Sequence, residues 1–243
     1  MKLILDHVSR DFRGQVAIDD VSMTVESGEV IGILGANGAG KTTLLKLIAG
    51  VVPAASGRIA LDDALIKPNR INTRRQVRLL DTPVSGQFSC VKPLLRSIAD
   101  YQVDRSTLAS EVADWFVRFN LVGVYGKKAN ELSKGQLYKL ELISLFDTRP
   151  SVWLLDEPFS NGLDANGLSL MISEIREHAS QGGIVLFSNQ WPEQAKQVVS
   201  RFQVLNHGKL VWDDPAAEVP GQDFLTQAED SLKAVYMAMR NNA

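Results

Sequence analysis

The sequence VIGILGANGAGKTT at residues 30–43 decides the fold class. Its first five residues are apolar, and a buried run this short predicts a strand, since a helix usually needs about ten residues or more. A loop that matches the pattern G-x-x-x-x-G-K-[ST] follows, and residues 42–49 then have helical spacing. A strand, a glycine-rich loop and a helix in this order predict a phosphate-binding loop.

Each residue type in this loop suits phosphate chemistry. Glycines let consecutive backbone N–H groups approach phosphate oxygens without a side-chain clash, and the start of the helix adds partial positive charge. The pattern predicts that Lys41 reaches the β- and γ-phosphates of a nucleotide and that the Thr42 hydroxyl binds Mg²⁺. The nucleotide contacts that we expect are Gly35, Asn37, Gly38, Ala39, Gly40, Lys41, Thr42 and Thr43.

A second apolar run ends in two acids, in the sequence SVWLLDEP at residues 151–158. Taken alone, paired acids at a strand end are as often a solvated turn as a site. With the phosphate loop upstream, they predict that Asp156 joins Thr42 in holding Mg²⁺. Glu157 is then placed to polarise the water that attacks the γ-phosphate.

The composition excludes several classes of protein. The chain has 243 residues, of which 45% are hydrophobic and 22% are charged, and its net charge is −2. It is too apolar to be disordered. It has no excess of positive charge, so we expect no nucleic-acid partner. No apolar run approaches the roughly 20 residues of a membrane span, so we expect a cytoplasmic protein.

The remaining patterns predict an α/β fold with three parts, which are a P-loop core, an antiparallel β subdomain and an inserted helical subdomain. Apolar runs at residues 30–34, 152–155 and 184–187 are each followed by a helical stretch, which predicts a P-loop core whose parallel sheet carries helices on both faces. Alternating residues at 3–8 and 21–25, with a further strand at 56–61, predict an antiparallel β subdomain at the N-terminus.

We expect one domain with its parts in a fixed order along the chain. Residues 1–81 and 147–214 form the α/β core, and residues 82–146 form an inserted helical subdomain because their helical stretches have no strands between them. Residues 215–243 form a C-terminal tail with an amphipathic helix.

The sequence LSKGQ at residues 132–136 carries a family resemblance. It is similar to the signature L-S-G-G-Q of the ATP-binding subunits of ATP-binding-cassette (ABC) transporters, with Lys134 in place of the first glycine. Alone, such a match is more often a capping sequence, since Ser133 is a good N-cap. Here it stands between two nucleotide motifs, as it does in that family. The resemblance covers about residues 3–211.

The resemblance implies that two chains pack head to tail with two nucleotides in their interface. Ser133 and Gly135 then contact the γ-phosphate of the ATP that the opposite subunit binds, and Gln136 belongs to the same interface. The sequence SNGLD at residues 160–164 looks like the D-loop of the family, with Asp164 as its acid. The second chain is either another copy or a different ATP-binding chain.

The implied function is that of a transporter motor. The chain would bind and hydrolyse MgATP on the cytoplasmic face of the cell membrane and drive a separate integral membrane permease. Short loops favour an exporter-like subclass.

Phe12 stands where the family places an aromatic ring that stacks on adenine. The sequence leaves a second interpretation open, in which Phe12 is a core residue at a strand end. Its place shortly before residues 16–18 favours stacking.

Two positions depart from the family pattern. Thr82 takes the place of a glutamine near Mg²⁺ and the attacking water, and Gln190 takes the place of a histidine near the γ-phosphate. Gln190 can donate a hydrogen bond but cannot carry a proton or a positive charge. We therefore expect intact nucleotide binding with slow hydrolysis. The alternative is an ATP-gated regulatory or non-transport protein with little turnover.

Overall fold

The structure is a computed structural model that describes residues 1–68, 71–81, 105–190 and 195–214. The strands are β1 (Lys2–Phe12), β2 (Gln15–Glu26), β3 (Val30–Leu34), β4 (Ser56–Leu61), β5 (Ala64–Leu65), β6 (Val77–Leu80), β7 (Val152–Leu155), β8 (Ile184–Asn189), β9 (Arg201–Asn206) and β10 (Lys209–Asp214). The α-helices are α1 (Lys41–Ile48), α2 (Ile71–Gln76), α3 (Arg105–Arg118), α4 (Lys134–Thr148) and α5 (Ala165–Ser180).

The predicted parallel sheet is present and holds six strands in the order β10-β9-β3-β8-β7-β6. Strand β3 pairs in parallel with both β8 and β9, and β7 pairs in parallel with β6 and β8. Only β10 at the edge runs antiparallel, through a turn at His207 and Gly208. Because parallel strands end on the same side, β3, β7 and β8 bring the residues that follow them to one edge.

Both faces of this sheet are covered, as the continuous apolar strands predict. Ile31 and Ile33 of β3 pack into one core with α1 and the N-terminal strands. Val30 and Leu34 of the same strand face a second core, built with residues of α3, α4 and α5. Alternate residues of one buried strand thus serve two cores.

The predicted antiparallel subdomain is also present, as a sheet in the order β2-β1-β4-β5. Its first two strands are longer than residues 3–8 and 21–25, because they continue to a two-residue turn at Arg13 and Gly14, both with positive φ. The register shifts between Leu5 and Val8, where His7 also has a positive φ. This irregularity interrupts the period of two, so the sequence pattern ends before the pairing does.

The described part of the inserted segment is helical. Helices α3 and α4 lie there, with short 3-10 helices at Val122–Val124 and Ala129–Glu131 between them. The other residues of 82–146, and the tail at 215–243, lie outside the described residues, so the three-part division remains a prediction. None of the helices that the structure describes combines the length and apolar character needed to cross a membrane.

Candidate nucleotide site

A cavity of about 300 Å³ opens at the edge where β3 and β7 end. One side is formed by the phosphate loop and the start of α1, and another by the turn between β1 and β2. Its lining residues are Phe12, Gln15, Val16, Ala17, Asn37, Gly38, Gly40, Lys41, Thr42, Thr43 and Glu157. Six of the eight predicted loop contacts, Phe12 and the predicted catalytic acid Glu157 therefore share one cavity.

The loop between β3 and α1 needs glycine at its two ends. Gly35 and Gly40 have φ values of 156° and 107°, which side-chain-bearing residues rarely adopt. A Cβ at Gly35 would lie 2.3 Å from the Leu205 carbonyl oxygen, and one at Gly40 would lie 2.4 Å from that of Ala17. At these two positions the loop therefore approaches neighbouring backbone too closely to admit a side chain, and Gly40 directly precedes the first residue of α1.

Lys41 is held inside this loop. Its side chain is only 6% exposed, and Nζ donates hydrogen bonds to the carbonyl oxygens of Gly35 at 2.7 Å and Ala36 at 3.0 Å. Burial lowers the pKa of Lys41, while the negative charges of Glu157 and Asp156 act in the opposite direction. The loop therefore presents a partly desolvated amine, which strengthens its attraction for an anion.

Thr42 and Asp156 meet as the two motifs predict. Thr42 Oγ1 donates to Asp156 Oδ2 at 2.8 Å, and the buried Ser188 of β8 donates to Asp156 Oδ1. Ser188 Oγ also accepts a hydrogen bond from the Glu157 backbone N–H at 2.9 Å. A hydroxyl and a carboxylate side by side are oxygen ligands that fit Mg²⁺, which commonly takes one or two protein ligands and completes its shell with water and phosphate oxygens.

Glu157 and Gln190 face each other across the site. Gln190 Nε2 donates to Glu157 Oε1 at 2.9 Å and to Asn37 Oδ1 at 2.7 Å. Glu157 has a left-handed backbone with φ of 47°, and Asn161 Nδ2 donates to its carbonyl oxygen at 3.2 Å. Non-glycine residues in this conformation cluster at functional sites, where the surrounding contacts hold them.

Phe12 is an exposed residue of the cavity wall. Its side chain is 43% exposed, so the interpretation as a core aromatic is wrong. The Arg10 guanidinium carbon lies 4.7 Å from the centre of the Phe12 ring, and Arg10 Nη1 donates to the Pro53 carbonyl oxygen at 3.1 Å. A cation at this distance from a ring attracts it, so Arg10 fixes the position of Phe12.

The signature segment lies away from this cavity. Ser133 Oγ accepts from the Gln136 backbone N–H at 3.2 Å, and Gln136 Oε1 accepts from the Ser133 N–H at 2.9 Å, which is a capping box at the start of α4. The capping role is thus confirmed. Asp164 caps α5 by a single hydrogen bond, in which its Oδ1 accepts from the Gly167 N–H at 2.8 Å. None of Ser133, Gly135, Gln136 and Asp164 lines the cavity of this chain.

The remaining predicted residues differ in where they lie relative to the cavity. Gly35 and Ala39 belong to the loop without lining the cavity, and Gln190 joins through its hydrogen bonds. Thr82 lies outside the described residues. The structure adds Gln15, Val16, Ala17, Asn161 and Ser188 to the neighbourhood. Ser188 had a sequence signal, since it follows the apolar residues of β8 as Asp156 follows those of β7.

The strand, loop and helix, together with the two acids that follow β7, define a P-loop nucleotide-binding protein. The family profile described as ABC transporter matches residues 18–160, which is more than half of the chain. The chain belongs to the ABC transporter family and is an ATP-binding cassette of that family.

Two relatives agree with this assignment, and a solved structure agrees with the fold. The lipopolysaccharide export system ATP-binding protein LptB of Escherichia coli K12 is 28% identical over 244 residues, covering 97% of this chain and 96% of LptB. The spermidine/putrescine import ATP-binding protein PotA of Fusobacterium nucleatum is 32% identical over 219 residues, covering 88% of this chain and 57% of PotA. A structure of an ATP-binding subunit of an ABC transporter superposes with a TM-score of 0.85 at 23% identity, covering 99% of this chain and 100% of its own. One relative belongs to export and one to import, so the exporter-like subclass remains a prediction.

Proposed function

We propose that this chain binds and slowly hydrolyses MgATP as the motor subunit of an ABC transporter. The observation that carries the proposal is the convergence of Lys41, Thr42, Asp156 and Glu157 at one edge of the sheet, with Gln190 bonded to Glu157. These groups meet the needs of phosphoryl transfer, which depends on positioning and on stabilising charge around the γ-phosphate.

ATP occupies the cavity in a defined direction. The base stacks on Phe12, beside the exposed Val16, and the phosphates lie on the backbone N–H groups between Asn37 and Thr43. Lys41 exchanges the carbonyl oxygens of Gly35 and Ala36 for the β- and γ-phosphates. This exchange costs little because the loop is already folded and the amine is already buried.

Thr42 and Asp156 hold the Mg²⁺ ion that accompanies the nucleotide. When bound, the ion neutralises charge on the phosphates. Ser188 donates a hydrogen bond to one carboxylate oxygen of Asp156 and Thr42 donates to the other, so the carboxylate would be held in position to bind the ion.

Glu157 orients and polarises the attacking water, and Gln190 holds Glu157 in position. The Gln190 amide also reaches toward the γ-phosphate, since its second acceptor, Asn37, belongs to the phosphate loop. An amide cannot carry a proton or a positive charge, so it contributes hydrogen bonding without charge stabilisation. Hydrolysis is therefore slow while binding is intact.

The residues that do not reach this cavity serve a second chain. Ser133, Gly135 and Gln136 present the start of α4, and Asp164 belongs to the neighbouring D-loop segment. In a head-to-tail dimer these groups close over the nucleotide of the partner, which is either another copy or a different ATP-binding chain. Closure and reopening drive a separate membrane permease at the cytoplasmic face of the cell membrane, and the length-wide similarity to LptB supports an exporter-like subclass.

A second function is favoured by the same bond between Gln190 and Glu157. If the amide supports binding but not turnover, the chain acts as an ATP-gated regulatory or non-transport protein. The two functions differ in one measurable quantity, which is the number of ATP molecules hydrolysed per chain.

Phosphate release by the purified chain, measured beside MgATP binding, tests the proposal. We expect the wild-type chain to bind MgATP and to turn over well below the roughly 10 s⁻¹ typical of enzymes. Lys41→Ala should abolish binding, whereas Glu157→Gln should keep binding and abolish turnover. Wild-type chain that binds MgATP but releases no phosphate supports the regulatory function. Wild-type chain that does not bind MgATP overturns both.

A further inference from the structure

Lys139 is a buried charge that the nucleotide site does not use. It lies in α4, four residues after Gly135, and is 6% exposed, which is the same fraction as Lys41. It does not line the nucleotide cavity. Burying an ammonium group costs free energy unless the group is paired and hydrogen-bonded. The partners of Lys139 therefore indicate its structural role.

The Lys139 ammonium connects α4 to the residue that follows α3 and to the residue that precedes α5. Lys139 Nζ donates to Asp164 Oδ2 at 2.8 Å and to the Phe119 carbonyl oxygen at 3.0 Å. Phe119 directly follows α3, and Asp164 is the N-cap of α5. The hydrogen bond from Lys139, followed by that from the Gly167 N–H, lowers the pKa of Asp164, which therefore remains charged near neutral pH.

Two glycines allow the segments to approach this closely. A Cβ at Gly167 would lie 2.9 Å from Lys139 Cε and 3.0 Å from Asp164 Oδ1, so the lysine chain occupies the space that a side chain would need. A Cβ at Gly135 would lie 2.1 Å from the carbonyl oxygen of Gly162. The signature segment, residues 132–136, and the D-loop segment, residues 160–164, are thus in direct backbone contact.

We propose that Lys139 is a positioning residue that fixes the signature segment and the D-loop segment relative to each other. The inference rests on the proposed function, in which both segments meet the nucleotide of the partner chain. Because the two segments are already fixed relative to each other, they lose little conformational entropy when the partner chain binds. The affinity of the dimer is therefore higher than it would be if the segments moved independently. Lys139 thus sets how tightly the ATP-bound dimer closes, without touching the nucleotide of its own chain.

Dimerisation and nucleotide binding, measured separately, test the inference. In a Glu157→Gln background, which we expect to bind ATP without hydrolysing it, sedimentation measures the MgATP-dependent dimer. A fluorescent ATP analogue at low protein concentration measures binding by the single chain. We expect Lys139→Met to weaken the dimer by about tenfold or more, since methionine cannot donate the hydrogen bonds that Lys139 makes to Asp164 and to the Phe119 carbonyl oxygen. The dissociation constant of the analogue should stay within about twofold of that of the parent chain.

Two further substitutions separate positioning from general stability. Lys139→Arg keeps the charge and should restore most of the dimer. Lys2→Met removes a lysine whose ion pair with Glu26, at 3.0 Å, is exposed, and should leave both measurements unchanged. If Lys139→Met does not fold, Asp164→Asn replaces it, because asparagine also caps helices but lacks the charge. We expect Asp164→Asn to weaken the dimer several-fold.

The possible results separate the role of Lys139 from the proposed head-to-tail function. An unchanged dimer in folded Lys139→Met, or in Asp164→Asn if the first variant does not fold, overturns the inference and leaves the proposed function standing. Equal losses of dimerisation and of analogue binding also overturn it, because they show a merely structural role. A Glu157→Gln chain that forms no dimer with MgATP overturns the proposed head-to-tail function, and the inference with it.

Discussion

The side-chain amide of Gln190 donates a hydrogen bond to the carboxylate of Glu157 over 2.9 Å. The same nitrogen donates to Asn37 of the phosphate loop, so one amide joins the end of β8, the end of β7 and the loop after β3. This bond orients a carboxylate that lines the cavity, at the end where we propose that the γ-phosphate binds. Since an amide neither gains nor loses a proton near neutral pH, the arrangement provides orientation without acid–base chemistry.

The aromatic wall of the cavity should contribute to nucleotide affinity. Phe12→Ala removes the ring that Arg10 holds in place, and base stacking on such a ring is worth about 1–3 kcal/mol. We expect the dissociation constant of MgATP, measured by calorimetry, to rise by about five-fold to a hundred-fold. Phe12→Trp should retain the affinity, and Val117→Ala, at an exposed apolar residue of α3, should leave it unchanged. Equal affinity in Phe12→Ala and wild type would contradict stacking.

Ser188 should stabilise both the fold and the metal site. Ser188→Ala removes the donor to Asp156 and leaves the backbone N–H of Glu157 without its acceptor. We expect the free energy of unfolding, measured with denaturant, to fall by about 1–3 kcal/mol and the Mg²⁺ concentration needed for nucleotide binding to rise. Ser180→Ala is the matched control, because its hydroxyl is exposed and bonds only to its own helix. A loss in the control as large as in Ser188→Ala would contradict this role.

The parts of the site that a single continuous segment of the chain forms could be predicted from the sequence. The phosphate loop, β3 and α1 follow from residues 30–49, because strand, loop and helix each leave a local pattern. Asp156 and Glu157 could be added because an apolar run ending in acids implies a strand end at the same edge. The two buried faces of the sheet also followed, since residues 30–34 and 152–155 are apolar throughout.

Long-range partners were not predictable in the same way. Lys139 and Asp164 are 25 residues apart in the chain. The residues around each of them give no sign in the sequence that the two pair or that the Lys139 charge is buried. Val16 and Ala17 reach the cavity because β2 begins earlier than its alternating pattern indicates. That pattern is interrupted by the shift in register near His7, which depends on the pairing of β1 with β2.

Acid should destabilise the protein through His178. This residue stacks on Trp153 with the ring centres 4.0 Å apart, and burial lowers its pKa to about 4. In the unfolded chain its pKa is about 6.5. Between these values the unfolded state binds more protons, so the free energy of unfolding decreases as the pH falls through this window, by up to about 3 kcal/mol.

Two measurements check the role of His178. Its imidazole signal in an NMR titration should move near pH 4. Denaturant unfolding at pH 7.5, 6 and 5 should show a loss that is smaller in His178→Gln. A titration near pH 6.5, or an equal loss in the variant, would contradict the effect of burial.

In the function that we propose, this cavity hydrolyses MgATP and Gln190 limits the rate. Gln190→His supplies a side chain that can hold a proton and a positive charge at the same position, and general acid–base contributions are typically about a hundredfold or more. The direct test is the steady-state rate of phosphate release by wild type and Gln190→His at saturating MgATP. We predict slow release by wild type and a rate at least about tenfold higher in the variant. Wild-type release near 10 s⁻¹, unchanged by the substitution, would show that Gln190 does not limit hydrolysis.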